Sequence, residues 1–284
     1  MIINAIAKGC RCWRPRQQQR RSGIYKEVTN TLKLGLSLIL AIACGNVETP
    51  VSSAQLSVSP ERFAADSLPI PAPVNKDYLL GKFDPAKHPD FVSVGKPYAD
   101  KPGMMLRKEA FESFKRMWES AQKAGISLKI ISSTRTFDQQ KNIWEGKWNR
   151  FAQEAPAPKN RALKILEFSS MPGSSRHHWG TDIDLNDLNN PAFEPGGKHE
   201  KVYEWLAAHA QEFGFCQPYT AGRPHGYHEE KWHWSYTPLS KSFLAQYKSG
   251  VTDADIQGFL GSNLAGEIGA VQHYVLGINQ DCAE

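Results

Sequence analysis

Two stretches of the 284-residue chain carry residue types at spacings suited to hydrolysis. The first runs Pro172-Gly-Ser-Ser-Arg-His-His-Trp-Gly-Thr-Asp-Ile-Asp-Leu185, with six residues between His177 and Asp184. A chain that folds back at Gly180 brings both side chains to one point, and an imidazole meeting a carboxylate suits zinc. The second, His228-Glu-Glu-Lys-Trp-His-Trp-Ser-Tyr236, adds an imidazole at His233 and a carboxylate at Glu230. Three protein ligands with one open position is the pattern of a catalytic zinc site, whereas a closed structural site has four. A nearby carboxylate that is not a ligand is the base such a site needs.

The elements that must position these groups are short. Asp182 to Leu185 reads as a strand, and Trp232 to Tyr236 has the aromatic content and alternation of another. His233 and Ser235 then share one face. Glu230, three residues before His233, falls on the opposite face by strict alternation, so it must sit on the turn before the strand or at a bulge. Asp182 and Asp184 share a strand face, which leaves two carboxylates as candidates for one ligand position. A third segment, Ser132-Ser-Thr-Arg-Thr-Phe-Asp-Gln-Gln140, follows a short strand expected over Ile126 to Ser132 and opens a helix over Asp138 to Phe151.

Together Ser175-x-His177-x-x-Gly180-x-x-x-Asp184, Glu230-x-x-His233, and Arg135 with Gln140 resemble the zinc D-alanyl-D-alanine carboxypeptidases of the vancomycin-resistance type. The resemblance implies the α+β fold shared by these peptidases and the Hedgehog signalling domain, a small antiparallel sheet with flanking helices. It implies a Zn2+ ion on His177, Asp184 and His233, and it favours Asp184 over Asp182, where many relatives carry a small apolar residue. It implies Glu230 as base, Arg135 as the cation facing a developing oxyanion, and Gln140 and Ser175 as residues that orient the substrate. The implied reaction is hydrolysis of the terminal D-Ala-D-Ala bond of peptidoglycan stem peptides. L,D-carboxypeptidase, dipeptidase and endopeptidase activities share the chemistry. A non-catalytic wall-binding lipoprotein with structural zinc is disfavoured because both Glu230 and Arg135 are kept. A serine mechanism lacks its Gly-x-Ser-x-Gly elbow around Ser175.

The formal charge of +5 belongs to the leader. Residues 1–33 hold eight basic residues (Lys8, Arg11, Arg14, Arg16, Arg20, Arg21, Lys26, Lys33) and one acid, Glu27, leaving 26 basic against 28 acidic residues elsewhere. The body therefore offers no basic stripe for nucleic acid. Leu34 to Ala43 is an apolar run too short to span a bilayer, which needs about 20 residues, and fits a secretory signal. It leads into Cys44, and small residues before a cysteine resemble a bacterial lipoprotein signal. On that reading residues 1–44 are leader, Cys44 carries a membrane anchor facing the periplasm, and the outer membrane is the destination. An uncleaved anchor is the alternative. Residues 45–76, rich in Ser, Pro and Ala, read as a flexible tether. Residues 77–247 hold the peptidase domain and 248–284 a helical C-terminal extension.

Inside the domain, Asp77 to Gly103 is expected to be irregular. Amphipathic helices are expected over Met105 to Ala124 and Lys201 to Phe213, with helices after Pro238 at 241–247, 253–260 and 264–276. Trp179, Trp232 and Tyr227 are candidates for lining the cleft, and His178 for supporting the site. Of five cysteines, Cys10 and Cys12 lie in the leader and Cys44 is the lipidation candidate. Cys216 and Cys282 remain, either as a disulfide pinning the tail or as two buried thiols. Oligomeric state is not legible.

Overall fold

The computed structural model describes residues 72–283. The leader, Cys44 and most of the tether lie outside them. Among the described residues no helix is long and apolar enough to cross a membrane.

The site rests on a four-stranded antiparallel sheet of β3 (Ile130–Ser132), β4 (Asp182–Leu185), β5 (Phe215–Cys216) and β6 (His233–Tyr236), in the order β3-β4-β6-β5. Strands of two to four residues suffice because helices and long loops cover them. All four residues of β4 and of β6 are buried, so these central strands have no solvent face. The register sets Asp184 opposite His233, Asp182 opposite Ser235, and Ser132 opposite Asp184. The pairing of β4 with β6 thereby places a carboxylate and an imidazole side by side before any metal is considered. The mixed α+β architecture is the one expected.

Two corrections concern the lead-in. Residues 77–103 are not irregular throughout. A short helix α1 (Lys76–Leu79) is followed by β1 (Phe91–Val94), which pairs antiparallel with β2 (Met104–Arg107). The helix expected from Met105 starts later, as α2 (Lys108–Lys123), because Met104 to Arg107 is spent on the hairpin. Its apolar face is the one read from spacing: Ala110, Phe114, Met117 and Ala121 recur every three or four residues and are fully buried.

Helix α3 (Phe137–Arg150) opens with a capping box in which Thr136 and Gln139 satisfy each other's backbone donors. It buries Gln140, Trp144 and Trp148. Helix α4 (Pro158–Ile165) follows, then α5 (Glu200–His209), which runs into a 3-10 turn at Ala210–Phe213. After β6, α6 (Thr237–Gly250) packs behind the sheet, its Phe243 fully buried.

The C-terminal extension departs from expectation. In place of two regular helices it forms 3-10 turns at Asp253–Asp255 and Ser262–Leu264, a four-residue α7 (Ala265–Ile268) and a π-helical stretch at Ala270–Val275. Gly258, Gly261 and Gly269, all at positive φ, interrupt it. Its order comes from tertiary bonds instead. The Trp144 indole donates to Leu260 O at 2.8 Å, and Leu260 N donates to Glu145 Oε1 at 3.1 Å. Asn279 N donates to Pro218 O at 2.8 Å, and Arg223 donates to Gly277 O. Cys216 and Cys282 form a disulfide with Cα atoms 5.7 Å apart.

Candidate active site

His177 lies in a 3-10 turn, Arg176–Trp179, that ends at Gly180 with φ +76°. That left-handed bend returns the chain as β4, which carries Asp184 back beside His177. The loop after β3 fixes both histidines of the turn. His177 Nδ1 donates to Ser133 O at 2.8 Å, so the free lone pair is on Nε2, 3.4 Å from Asp184 Oδ1. His178 Nε2 accepts from Gly173 N at 3.1 Å, so its Nδ1 proton goes to Arg135 O at 2.7 Å. Burial holds the His178 pKa down to about 3, and the ring stays neutral as a brace.

His233 is oriented from the other side. Its Nε2 lies 2.9 Å from Asp182 Oδ2, which leaves Nδ1 to face Asp184 Oδ1 at 3.1 Å. The two rings stand nearly perpendicular with centroids 4.7 Å apart. His177 Nε2, His233 Nδ1 and one Asp184 oxygen lie within 4.8 Å of one another. All three residues are buried, and His177 Nε2 and Asp184 Oδ1 lack a hydrogen-bond partner. Two imidazole lone pairs and a carboxylate with unspent acceptor capacity fit a divalent cation that prefers nitrogen and oxygen donors. Burial pushes the Asp184 pKa up, but His177 and His233 outweigh it and hold the carboxyl well below its usual range.

Glu230 sits on the turn before β6, as strand alternation required. Its N–H donates to Tyr219 O at 2.9 Å and its carbonyl accepts from Gln217 Nε2 at 3.1 Å. Oε2 is then 3.5 Å from His233 Nδ1, beside the three ligand atoms. Burial raises its pKa to about 8, against the pull of His233.

The site opens into a cleft of about 260 Å³. Arg135 and Gln140 line it with the ligand residues and Glu230. Gln140 is tied through Nε2 to Ser170 O at 2.8 Å, with its Oε1 left over. Arg135 NH1 reaches only Ser132 Oγ, at 3.3 Å. Ser175 is not brought there: it is buried outside the residues that line the cleft. Tyr227 and Trp232 do line it. Trp179 does not, being fully buried with its indole N–H on Leu79 O.

Residue types and spacing left several cleft residues unnoticed. Lys147 lies on α3 two turns beyond Gln140 and hydrogen-bonds Ser169 Oγ; burial lowers its pKa. The positions 140, 143 and 147 form one helical face, which was the available signal. Tyr219 packs its ring 4.7 Å from that of His233. Ile143, Phe168 and Leu188 form an exposed apolar rim.

Residues 103–239 match the family model VanY, described as D-alanyl-D-alanine carboxypeptidase, and His177, Asp184, His233, Glu230 and the residues lining the cleft lie within that span. This region is similar to the VanY family. A putative carboxypeptidase of Bacillus subtilis, YodJ, is 29% identical over 175 residues, 57% of this chain and 58% of that protein. This chain thus spans under two thirds of that relative's length. An uncharacterized Haemophilus influenzae protein is 29% identical over 114 residues, covering 35% of this chain and 83% of that protein. Among solved structures, a vancomycin-resistance D,D-pentapeptidase VanY in complex with Zn(II) is 19% identical, with a TM-score of 0.43 over 61% of this chain and 87% of that one. The LD-carboxypeptidase LdcB is 21% identical, with a TM-score of 0.45 over 66% and 80%.

Proposed function

We propose that the chain is a zinc carboxypeptidase that hydrolyses the terminal D-Ala-D-Ala bond of peptidoglycan stem peptides. The observation that carries this reading is the convergence of the His177 Nε2 and His233 Nδ1 lone pairs on Asp184, with the Glu230 carboxylate alongside and Arg135 in the same cleft. The match of residues 103–239 to the VanY model supports the substrate class.

His177, Asp184 and His233 would hold the zinc ion, which when bound acts as a Lewis acid and makes water nucleophilic at neutral pH. Glu230 takes the proton of the attacking water at Oε2 and returns it to the leaving amine. Its raised pKa suits both halves of that transfer, since a base and acid of one turnover works best near the ambient pH. Arg135 is a permanent cation for the carbonyl oxygen as it becomes an oxyanion. Gln140 Oε1 is left to accept from a substrate N–H, and Lys147 can pair with the C-terminal carboxylate of the substrate.

The leader reading adds a location. An apolar run ending at Cys44 and a disulfide between Cys216 and Cys282 both suit a lipid-anchored protein of the cell envelope, facing the periplasm.

The deciding experiment incubates the zinc-loaded protein with a stem pentapeptide ending in D-Ala-D-Ala and reads products by mass spectrometry, beside Glu230→Ala and a chelator control. Loss of one alanine, absent in both controls, is the expected result. Loss of a dipeptide, or cleavage only of a tetrapeptide at its L,D bond, would keep the chemistry and replace the substrate. No cleavage of any stem peptide by folded, zinc-loaded protein would refute the enzyme.

A further inference from the structure

The departure at Asp182 has a structural meaning. Asp182 is wholly buried on β4 and pairs with Ser235 of β6, one step along from the pair Asp184 and His233. Both of its oxygens are fully engaged. Oδ2 accepts from Arg176 Nε at 2.9 Å and stands 2.9 Å from His233 Nε2. Oδ1 accepts from the Thr181 hydroxyl at 2.7 Å and the Ser235 hydroxyl at 2.8 Å. Arg176, also buried, sends a second donor to Ser235 Oγ at 2.6 Å and lays its guanidinium 4.8 Å from the Trp179 ring centre. A cation, an anion and two hydroxyls therefore close on the back of the one ring whose front faces Asp184 and Glu230.

We infer that Asp182 is a positioning residue for the metal centre and that Arg176 holds it in place. The two nitrogens of an imidazole point apart, so a carboxylate on Nε2 cannot share an ion with Nδ1; this removes Asp182 as the rival ligand to Asp184. On Nε2 the carboxylate fixes the proton there, leaves the Nδ1 lone pair for the ion, sets the ring plane and raises the basicity of the donor nitrogen. His177 has only a neutral carbonyl, Ser133 O, in the corresponding place. The two histidine ligands are thus unequal, and His233 is the stronger donor. Arg176 holds the Asp182 carboxylate aimed, and the bonds of both residues to Ser235 lock the pair to β6. The inference rests on the reading of His177, Asp184 and His233 as ligands of a divalent cation.

The test uses Asp182→Asn in the full protein. Asparagine keeps the shape: its carbonyl can serve Arg176 and His233, its amide can donate to the Thr181 and Ser235 hydroxyls, and only the charge is lost. Zinc affinity is measured by competition with a chromophoric chelator, and the ring protons of 15N-histidine-labelled, zinc-loaded protein are read by NMR. The expected result is an affinity about 10–100-fold weaker in the variant. The His233 Nε2 proton, far downfield and protected from exchange in the wild type, moves upfield in the variant. A folded variant with wild-type affinity and an unchanged Nε2 proton overturns the inference while leaving the metal site standing. If the variant does not fold, the wild-type spectrum decides alone: a His233 protonated on Nδ1, or with no protected ring proton, overturns it. Wild-type protein that binds no zinc overturns the metal reading and this inference together.

Discussion

Glu230 Oε2 and His233 Nδ1 stand 3.5 Å apart, on the side of the imidazole away from Asp182. The carboxylate is adjacent to the ligand set without being one of the three converging groups. Glu230→Gln keeps the shape and removes the base. Turnover of a stem peptide is expected to fall about 10²–10⁴-fold, with zinc content by atomic absorption unchanged. Loss of zinc along with activity would instead make Glu230 a ligand.

Two groups at the centre bind protons more tightly in the folded chain than in the unfolded one. Burial raises the Glu230 pKa to about 8. Burial lowers that of His233, but hydrogen bonds to Asp182 and Asp184 reverse this and lift it to about 9. Both are raised, so their contribution to stability is complete below the ordinary values of about 4.5 and 6.5 and is lost as pH climbs through about 8 and 9. Zinc competes with these protons. Chelator-stripped protein should melt lower at pH 9 than at pH 6. Added zinc should restore more at pH 9 than at pH 6, with stabilisation of about 2.7 kcal/mol when free zinc is a hundred times Kd. Calorimetry at the two pH values checks the sign; a gap that narrows with pH would contradict it.

Lys147 places a second cation beside Arg135 in the cleft but outside the ligand set. Lys147→Ala should raise KM about 10–100-fold, the worth of a charge-assisted hydrogen bond, with kcat changed much less. An amidated C-terminal peptide should lose the difference between variant and wild type. Steady-state kinetics on the two peptides tests this.

Gly81, at φ +75°, lies against the His178 ring, and a methyl there would run into it. Gly81→Ala should cost at least about 1–2 kcal/mol from the backbone conformation alone. It should also reduce turnover, because His178 holds the Arg135 carbonyl. Urea unfolding and an activity assay on one preparation would separate the two effects.

Cys282→Ser opens the disulfide to Cys216, whose loop spans 66 residues. Removing such a bridge costs about 2–5 kcal/mol. Wild-type protein in reductant should unfold at the same urea concentration as the variant. A difference between them would assign the stability to something other than the bridge.

What could be read in advance was whatever short-range spacing controls. His177 and Asp184 meet because one glycine bend and a strand join them. His233 meets them because β6 pairs antiparallel with β4 in a register that sets His233 opposite Asp184. For Glu230 the period of two left a turn before the strand or a bulge, and the turn is what forms. The β1–β2 hairpin was missed because Met104 to Arg107 runs straight into the helical period of α2, and a strand that abuts a helix leaves no break in hydrophobicity. Lys147, Ser169, Phe168 and Leu188 come to the cleft from α3 and two loops; only closure of the whole chain makes them neighbours. Ser175 is buried away from the cleft lining, although its neighbour His177 is part of it. The tail carried helical periodicity, but glycines and bonds to α3 and the 217–228 loop decided its path.

The tail has a further consequence, for the order in which the site comes into being. The loop that carries Glu230 is held by Arg223 to Gly277, by Pro218 to Asn279 and, next to it, by Cys216 to Cys282. Those anchors, Gly277, Asn279 and Cys282, are synthesised after His233. A nascent chain long enough to contain His177, Asp184, Glu230 and His233 still lacks the brace for its base. The bridge cannot close until Cys282 arrives somewhere thiols oxidise. The Glu230 loop therefore gains its brace only after His177, Asp184 and His233 have been synthesised.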